Sequence, residues 1–163
     1  MIKLLRIDQR LVHGQVATYW VRYTEADTMV VINDKAAIDP MTKMSLKLGK
    51  PAGVGLEILT LKDGINYINN PSNKKRKILI IVGNCKDGAE VAKNCSEVME
   101  VDIGGIHYEE GRVSITNQVY LIEEDLNALD EIAADGKNVF LQSIPNEPKM
   151  YLKEIHEIYN KNK

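Results

Sequence analysis

The sequence predicts an α/β fold, an open, mainly parallel twisted sheet with helices on both faces, as a single domain over residues 1–163. Three observations carry this. Short, almost wholly apolar runs recur along the chain and read as buried strands; stretches with apolar residues three and four apart lie between them; and no repeat, low-complexity segment or linker divides the chain. Parallel strands need a crossover between them, and a helix packed on one face supplies it.

The elements follow in order. Ile2, Leu4, Leu5 and Ile7 form the first apolar run, with Lys3 and Arg6 its only charges, and Asp8 falls near its carboxyl end. Val16, Tyr19, Trp20 and Tyr23 then recur at helical spacing, a stripe expected to pack inward from a helix beginning near Gly14. Residues 28–32 are β-branched and apolar and end at Asn33-Asp34; Asp39-Pro40 reads as a cap and first-turn proline, and Met41, Met44 and Leu48 as a packing stripe closed by Gly49. Residues 54–60 are strand-like and 61–68 helix-like; 78–82 is a strand, a short helix lies around 89–93, and 97–103 is again strand-like. Gly104-Gly105 and Gly111 read as turns, with a strand over 112–116. Ile122, Leu126, Leu129 and Ala133 line a helix that opens with Glu123, Glu124 and Asp125, acids suited to its positive end, and closes at Gly136. A strand over 139–142 and a helix over about 148–159, carrying Leu152, Ile155 and Tyr159, complete the chain.

The chemistry concentrates between the first strand and the first helix, in Arg6-Ile7-Asp8-Gln9-Arg10-Leu11-Val12-His13-Gly14-Gln15-Val16. This places an imidazole, two guanidiniums and a carboxylate on a strand-to-helix turn. Ligands of open parallel sheets bind beyond the carboxyl ends of the strands, and a helix N-terminus attracts anions. An unperturbed histidine, with a pKa of about 6.5, is largely a neutral nucleophile near pH 7. Phosphoryl transfer asks mainly for positioning and for neutralisation of charge on the equatorial oxygens, and arginine's fork matches phosphate geometry. The loop therefore points to phosphate chemistry without a metal or cofactor. Each residue also has a plain reading: His13 as a hydrogen-bonded turn residue, Arg6 and Arg10 as partners of Asp8, and Gly14 as a glycine that the turn requires. Asn33-Asp34, Gly83-Asn84 and Gly104-Gly105 fall at the same carboxyl edge and read first as turn chemistry, His107 and His156 as surface residues, and Trp20 as core.

Composition narrows the classes. Formal net charge is −2 with both signs interspersed, which gives no case for nucleic acid or an anionic membrane surface. The basic run Lys74-Lys75-Arg76-Lys77 reads as a solvated approach to the strand at 78–82. No apolar stretch approaches the ~18 residues of a membrane span, and Arg6 and Asp8 break the N-terminal run in a way that does not fit a secretory signal, so a cytoplasmic protein is expected. Cys85 and Cys95 have no metal-ligand spacing with the histidines and read as plain thiols. No Gly-x-x-x-x-Gly-Lys-Ser/Thr loop supports a nucleotide site.

The 6–16 segment, with Trp20 following, resembles the phosphorylation-site signature of the IIB component of the mannose/fructose/sorbose family of the bacterial phosphoenolpyruvate-dependent sugar phosphotransferase system. Similarity continues through Val31-Ile32-Asn33-Asp34, Asp102-Ile103-Gly104-Gly105, Gly111 and Val139-Phe140-Leu141-Gln142, essentially the whole chain. The resemblance implies a protein-phosphohistidine–sugar phosphotransferase. His13 matches its phospho-acceptor, Arg10 the arginine holding the phosphoryl oxygens, Arg6 a second clamp, and Asp8 the acid that orients Arg10 or the imidazole; Gly14 and Gln15, at the helix start, are the further phosphate-binding candidates. It further implies a IIA protein or domain as donor, the membrane components IIC and IID with their sugar as acceptor, and peripheral association with the membrane through those partners. Gln9 departs from the family, which commonly has an acid there. That departure is the one feature leaning toward a different class, a phosphate-sensing or interaction domain that keeps the loop without transfer.

Overall fold

The computed structural model describes residues 1–163. Its centre is strand β1, Ile2–Asp8, flanked by β4, Ile78–Val82, and β5, Glu100–Gly105. Outward from β4 lie β2, Thr28–Ile32, and β3, Gly55–Leu59; outward from β5 lie β8, Asn138–Leu141, and β9, Met150–Tyr151. Every pairing in this seven-stranded sheet is parallel except that of β8 with β9. The short β9, absent from the sequence reading, is a two-residue return at the sheet edge just before the last helix.

Side chains alternate along each strand and sort the helices into two layers. Leu5 and Ile7 belong to one core with residues of α5, Cys85–Asn94, α6, Glu123–Ala134, and α7, Leu152–Asn162; Leu4 belongs to the other with residues of α1, Gly14–Thr24, and α3, Pro40–Gly49. Helix α4, Leu61–Asn69, joins the first layer through Ile68. β1 therefore leaves toward one face while its neighbours β4 and β5 lead to helices on the other, which makes its carboxyl end a topological switch point.

Local chemistry sets the boundaries. Side chains of Asn33, Asp39, Thr60 and Asn84 accept first-turn backbone N–H groups of their helices, and Asp125 accepts from the Ile122 N–H. Asn33 in this role starts a short helix, α2, Asp34–Ile38, that periodicity did not separate from α3.

Two inward stripes are corrected. α1 buries Ala17, Trp20 and Thr24 and leaves Tyr19 and Tyr23 42 % and 58 % exposed. The stripe is turned by about one residue, with Trp20 at its centre and Ala17 and Thr24 one turn to either side. On α3 the inward positions are Thr42, Leu46 and Gly49, with Gly49 against Val12, so Met41, Met44 and Leu48 stand 82 %, 65 % and 82 % exposed rather than packed. Gly104-Gly105 ends β5 and is not a turn. Beyond it the chain makes a separate antiparallel pair, β6, Val113–Ser114, with β7, Tyr120–Leu121. The 74–77 run is exposed before β4, at the end of the sheet away from α1's start. No helix is long and apolar enough to cross a membrane.

Candidate functional site

The carboxyl end of β1 turns sharply. The Asp8 carbonyl accepts from the Leu11 N–H (3.0 Å) and Asp8 Oδ1 accepts from the Arg10 N–H (3.0 Å), a side-chain-closed turn that carries Leu11 at φ 61°. His13 follows as the N-cap of α1, extended at φ −138°, with its ring exposed and making no cap bond. Gly14 has φ 44°, a left-handed conformation that glycine adopts without strain. Ala17 N–H bonds the His13 carbonyl (3.2 Å), so the N–H groups of Gly14, Gln15 and Val16, in the turn that His13 caps, have no acceptor within the helix.

Behind this turn is a network of four charges. Arg10, its side chain 29 % exposed, places Nε on Asp8 Oδ1 (3.1 Å) and Nη2 on Asp8 Oδ2 (3.0 Å), leaving Nη1 without a protein partner. Asp8 is buried, and its Oδ2 also faces Arg6 Nη2 at 3.4 Å. The Arg6 guanidinium donates further to Asp102 Oδ2, to the Gln142 carbonyl (3.0 Å) and to the Ser143 carbonyl (3.0 Å). Its Cζ lies 4.8 Å from the Trp20 ring centre, and Trp20 Nε1 bonds the same Ser143 carbonyl (3.1 Å). Burial pushes the Asp102 carboxyl up to about 7, against the pull of Arg6.

The β1–β5 register explains this assembly, since Arg6 is the partner of Asp102 and both face the α1 layer. Gly104, next on the same face of β5, lies under the guanidinium; a Cβ there would overlap Arg6 Cζ. A Cβ at Gly105 would meet Asp8 Oδ1 at 3.1 Å and Arg10 Nη2 at 3.3 Å. The two glycines are the room in which the arginines sit.

The structure brings His13, Arg10, Asp8 and Gly14 together at one strand end, with Gln15 on the first turn of α1. Arg6, expected as a second clamp, is 2 % exposed and commits four N–H bonds inward, to Asp102, Asp8 and the Gln142 and Ser143 carbonyls. Gln15 Oε1 accepts from Tyr19 Oη (3.1 Å), so that side chain lies along the helix and only its N–H faces the site. Trp20 is core and also part of the polar network. Gln9 Oε1 accepts from the His107 N–H (2.8 Å), a bond that a carboxylate would make equally well. Asn33 and Asn84 are spent as caps, and Asp34 accepts from the Leu61 N–H. His156 pairs with Asp130 on the far helices. Burial pushes the Cys85 thiol well above its ordinary range and the Cys95 thiol up to about 11, and both are free, so neither is a ready nucleophile. No cluster of His, Cys, Asp or Glu has metal-site geometry. Sequence reasoning missed Asp102; the available signal was an acid set between Val101 and Ile103 in β5.

Grooves elsewhere are shallow. A groove of about 470 Å³ lies between Tyr19, Arg22 and Tyr23 of α1 and the segment from Ile144 to Asn146; His13 does not line it.

Comparison with known proteins agrees with this geometry. The family model of the sorbose-subfamily IIB component of the phosphotransferase system matches residues 2–163. A probable phosphotransferase enzyme IIB component of Streptococcus pyogenes is 32 % identical over 161 residues, covering 95 % of this chain and 99 % of that protein. The mannose-specific EIIAB component of Escherichia coli is 28 % identical over 155 residues, covering 95 % of this chain, which spans 48 % of the length of that relative. Among solved structures, the IIBSor domain of the sorbose permease from Klebsiella pneumoniae superposes with a TM-score of 0.91 at 26 % identity, covering 96 % of this chain and 97 % of that one.

Proposed function

The chain belongs to the sorbose-subfamily IIB family of the phosphotransferase system, and from that premise we propose that His13 is the residue on which it carries the phosphoryl group. It is a IIB phosphocarrier of the class that serves mannose, sorbose and N-acetylgalactosamine uptake. The observation that supports His13 is its position: an exposed imidazole on the N-cap of α1, at the switch point of the sheet, beside an arginine fixed by Asp8 with one amine still free.

In this reading a ring nitrogen of His13 attacks the phosphorus of a phosphohistidine on a IIA protein or domain. The donor's N–P bond breaks as the new one forms, and the donor imidazole leaves. Arg10 Nη1 and the N–H groups of Gly14 and Gln15 receive the equatorial oxygens, a task for fixed positive charge that requires no metal. In the second half a sugar hydroxyl held by the membrane components IIC and IID attacks the same phosphorus, loses its proton, and frees the His13 ring. Asp8 orients Arg10; Arg6 does not touch the substrate. Such a carrier works in the cytoplasm, at the membrane through its partners. The carboxylate replaced at Gln9 does not favour a non-transferring domain, because the loop tie to His107 is kept.

The test is intact mass and peptide mapping after incubation with phosphoenolpyruvate, the general phosphotransferase proteins and a mannose-family IIA. One acid-labile phosphate on the wild type and none on His13→Ala is the expected result. No phosphate on the wild type, with the IIA itself phosphorylated, would overturn the reading.

A further inference from the structure

Packing alone does not account for the charges buried behind the His13 loop. Arg6, Asp8 and Asp102 are each 2 % exposed or less, and Asp102 Oδ1 has no hydrogen-bond partner. A buried ion network costs the desolvation of every member, and apolar residues of the same volume are often as stable. Here Gly104 and Gly105 also give up side chains to house it. This cost falls at the strand end that holds the reacting loop.

The geometry points to Asp102 and Arg6 as positioning residues of the phosphoryl transfer: together they fix Asp8, and Asp8 fixes the fork of Arg10 beside His13. The inference rests on His13 being the carrier. Arg6 is anchored from three directions, by Asp102 on β5, by the Gln142 and Ser143 carbonyls after β8, and by the Trp20 ring of α1. Trp20 in turn holds Ser143 through Nε1. The Asp8 carboxylate is thus gripped from behind by Arg6 (3.4 Å) and from the front by Arg10 (3.0 and 3.1 Å). With the rear grip lost, Asp8 can rotate and both Arg10 bonds loosen. A guanidinium on a free stem then spreads over many rotamers, and transition-state contacts weaken steeply with misplacement.

Potassium phosphoramidate tests this without a protein partner. The imidazole lone pair attacks phosphorus, the P–N bond breaks, ammonia leaves, and the ring's other N–H proton goes to water. His156 on α7, paired with Asp130 of α6 and remote from the loop, is the internal reference. In the wild type His13 is expected to be phosphorylated several-fold faster than His156. Asp102→Asn is expected to lower the His13 rate about tenfold with His156 unchanged, and to move the Arg10 Nε–H NMR signal to the position of a free arginine. Arg6→Lys keeps the buried charge but cannot span two carboxylates and two carbonyls, and is expected to do the same; it decides the matter if Asp102→Asn does not melt cooperatively. A lowered melting temperature with the His13 to His156 ratio intact in a folded variant would make the network merely structural and overturn the inference. A lost ratio with the Arg10 signal unmoved would overturn it too. A wild type whose His13 is no faster than His156, and takes no phosphate from phosphorylated IIA, would instead be a failure of the carrier reading.

Discussion

Replacing Arg10 by alanine separates the loop's chemistry from its stability. The change removes two charge-assisted bonds, Nε to Asp8 Oδ1 (3.1 Å) and Nη2 to Asp8 Oδ2 (3.0 Å). Arg10 is partly exposed, so solvent screening discounts the pair, but Asp8 is buried and would keep only the Arg10 backbone N–H and the Arg6 contact at 3.4 Å. The stability cost is about 1–2 kcal/mol, which lowers the melting temperature by roughly 3–8 °C in a domain of this size. A domain held by about 5–15 kcal/mol stays folded after that loss. Transfer should suffer more: losing a preorganised donor to the transition state costs about 10²–10³ in rate, or about 3–4 kcal/mol of barrier. The assay is rapid-quench transfer of phosphate from phosphorylated IIA to His13, with thermal melts of both proteins. A rate within threefold of wild type would refute the role given to Arg10. A rate loss matched by loss of cooperative melting would refute the claim that the two effects separate.

Three further outcomes follow from the same geometry. Gly104→Ala drives a methyl into the Arg6 guanidinium and should cost about 3 kcal/mol or more, whereas Gly105→Ala meets Asp8 and Arg10 at 3.1 and 3.3 Å, should cost about 1 kcal/mol and yet slow transfer about tenfold; denaturant melts and transfer rates that rank the two alike would contradict this. The Asp102 carboxyl, raised to about 7 by burial against an ordinary 3.8, binds its proton in the folded state across a window where the unfolded chain has released it. This group's contribution to stability should therefore fall as pH rises from about 4 to 7, at no more than about 1.4 kcal/mol per pH unit, and a wild-type pH profile parallel to that of Asp102→Asn would exclude it. Met44→Ser, at a position 65 % exposed, should change stability by less than about 0.5 kcal/mol; a loss of 2 kcal/mol in denaturant melts would restore the packing role expected from its spacing.

Much of the fold was legible because burial and periodicity coincide in its central strands. β2 and β4 are apolar on both faces, so their boundaries read directly from the sequence. Misreadings came where the inward face of a helix was taken from spacing alone. The Met41, Met44 and Leu48 spacing is genuinely helical, but periodicity states that a stripe exists and not which way it faces. β6 falls within the strand expected over 112–116, whereas β7 and β9 are two residues each, too short to carry a pattern. In the site, His13, Arg10, Asp8 and Gly14 lie within seven residues, so local sequence was enough to place them together.

The sequence by itself determined the strand-to-helix loop that carries His13 and its helix start, because a strand end, a turn and an N-cap are set by neighbours in the chain. Arg6 shows what it could not determine. Its residue type and its place next to the loop suit a phosphate clamp, but alternation turns it toward α1, and the β1–β5 register sets Asp102 opposite it with Gly104 beneath. Which strand lies beside β1, and in what register, depends on contacts between residues 96 positions apart. Only tertiary structure makes that pairing, and with it a cation near the site becomes an interior support.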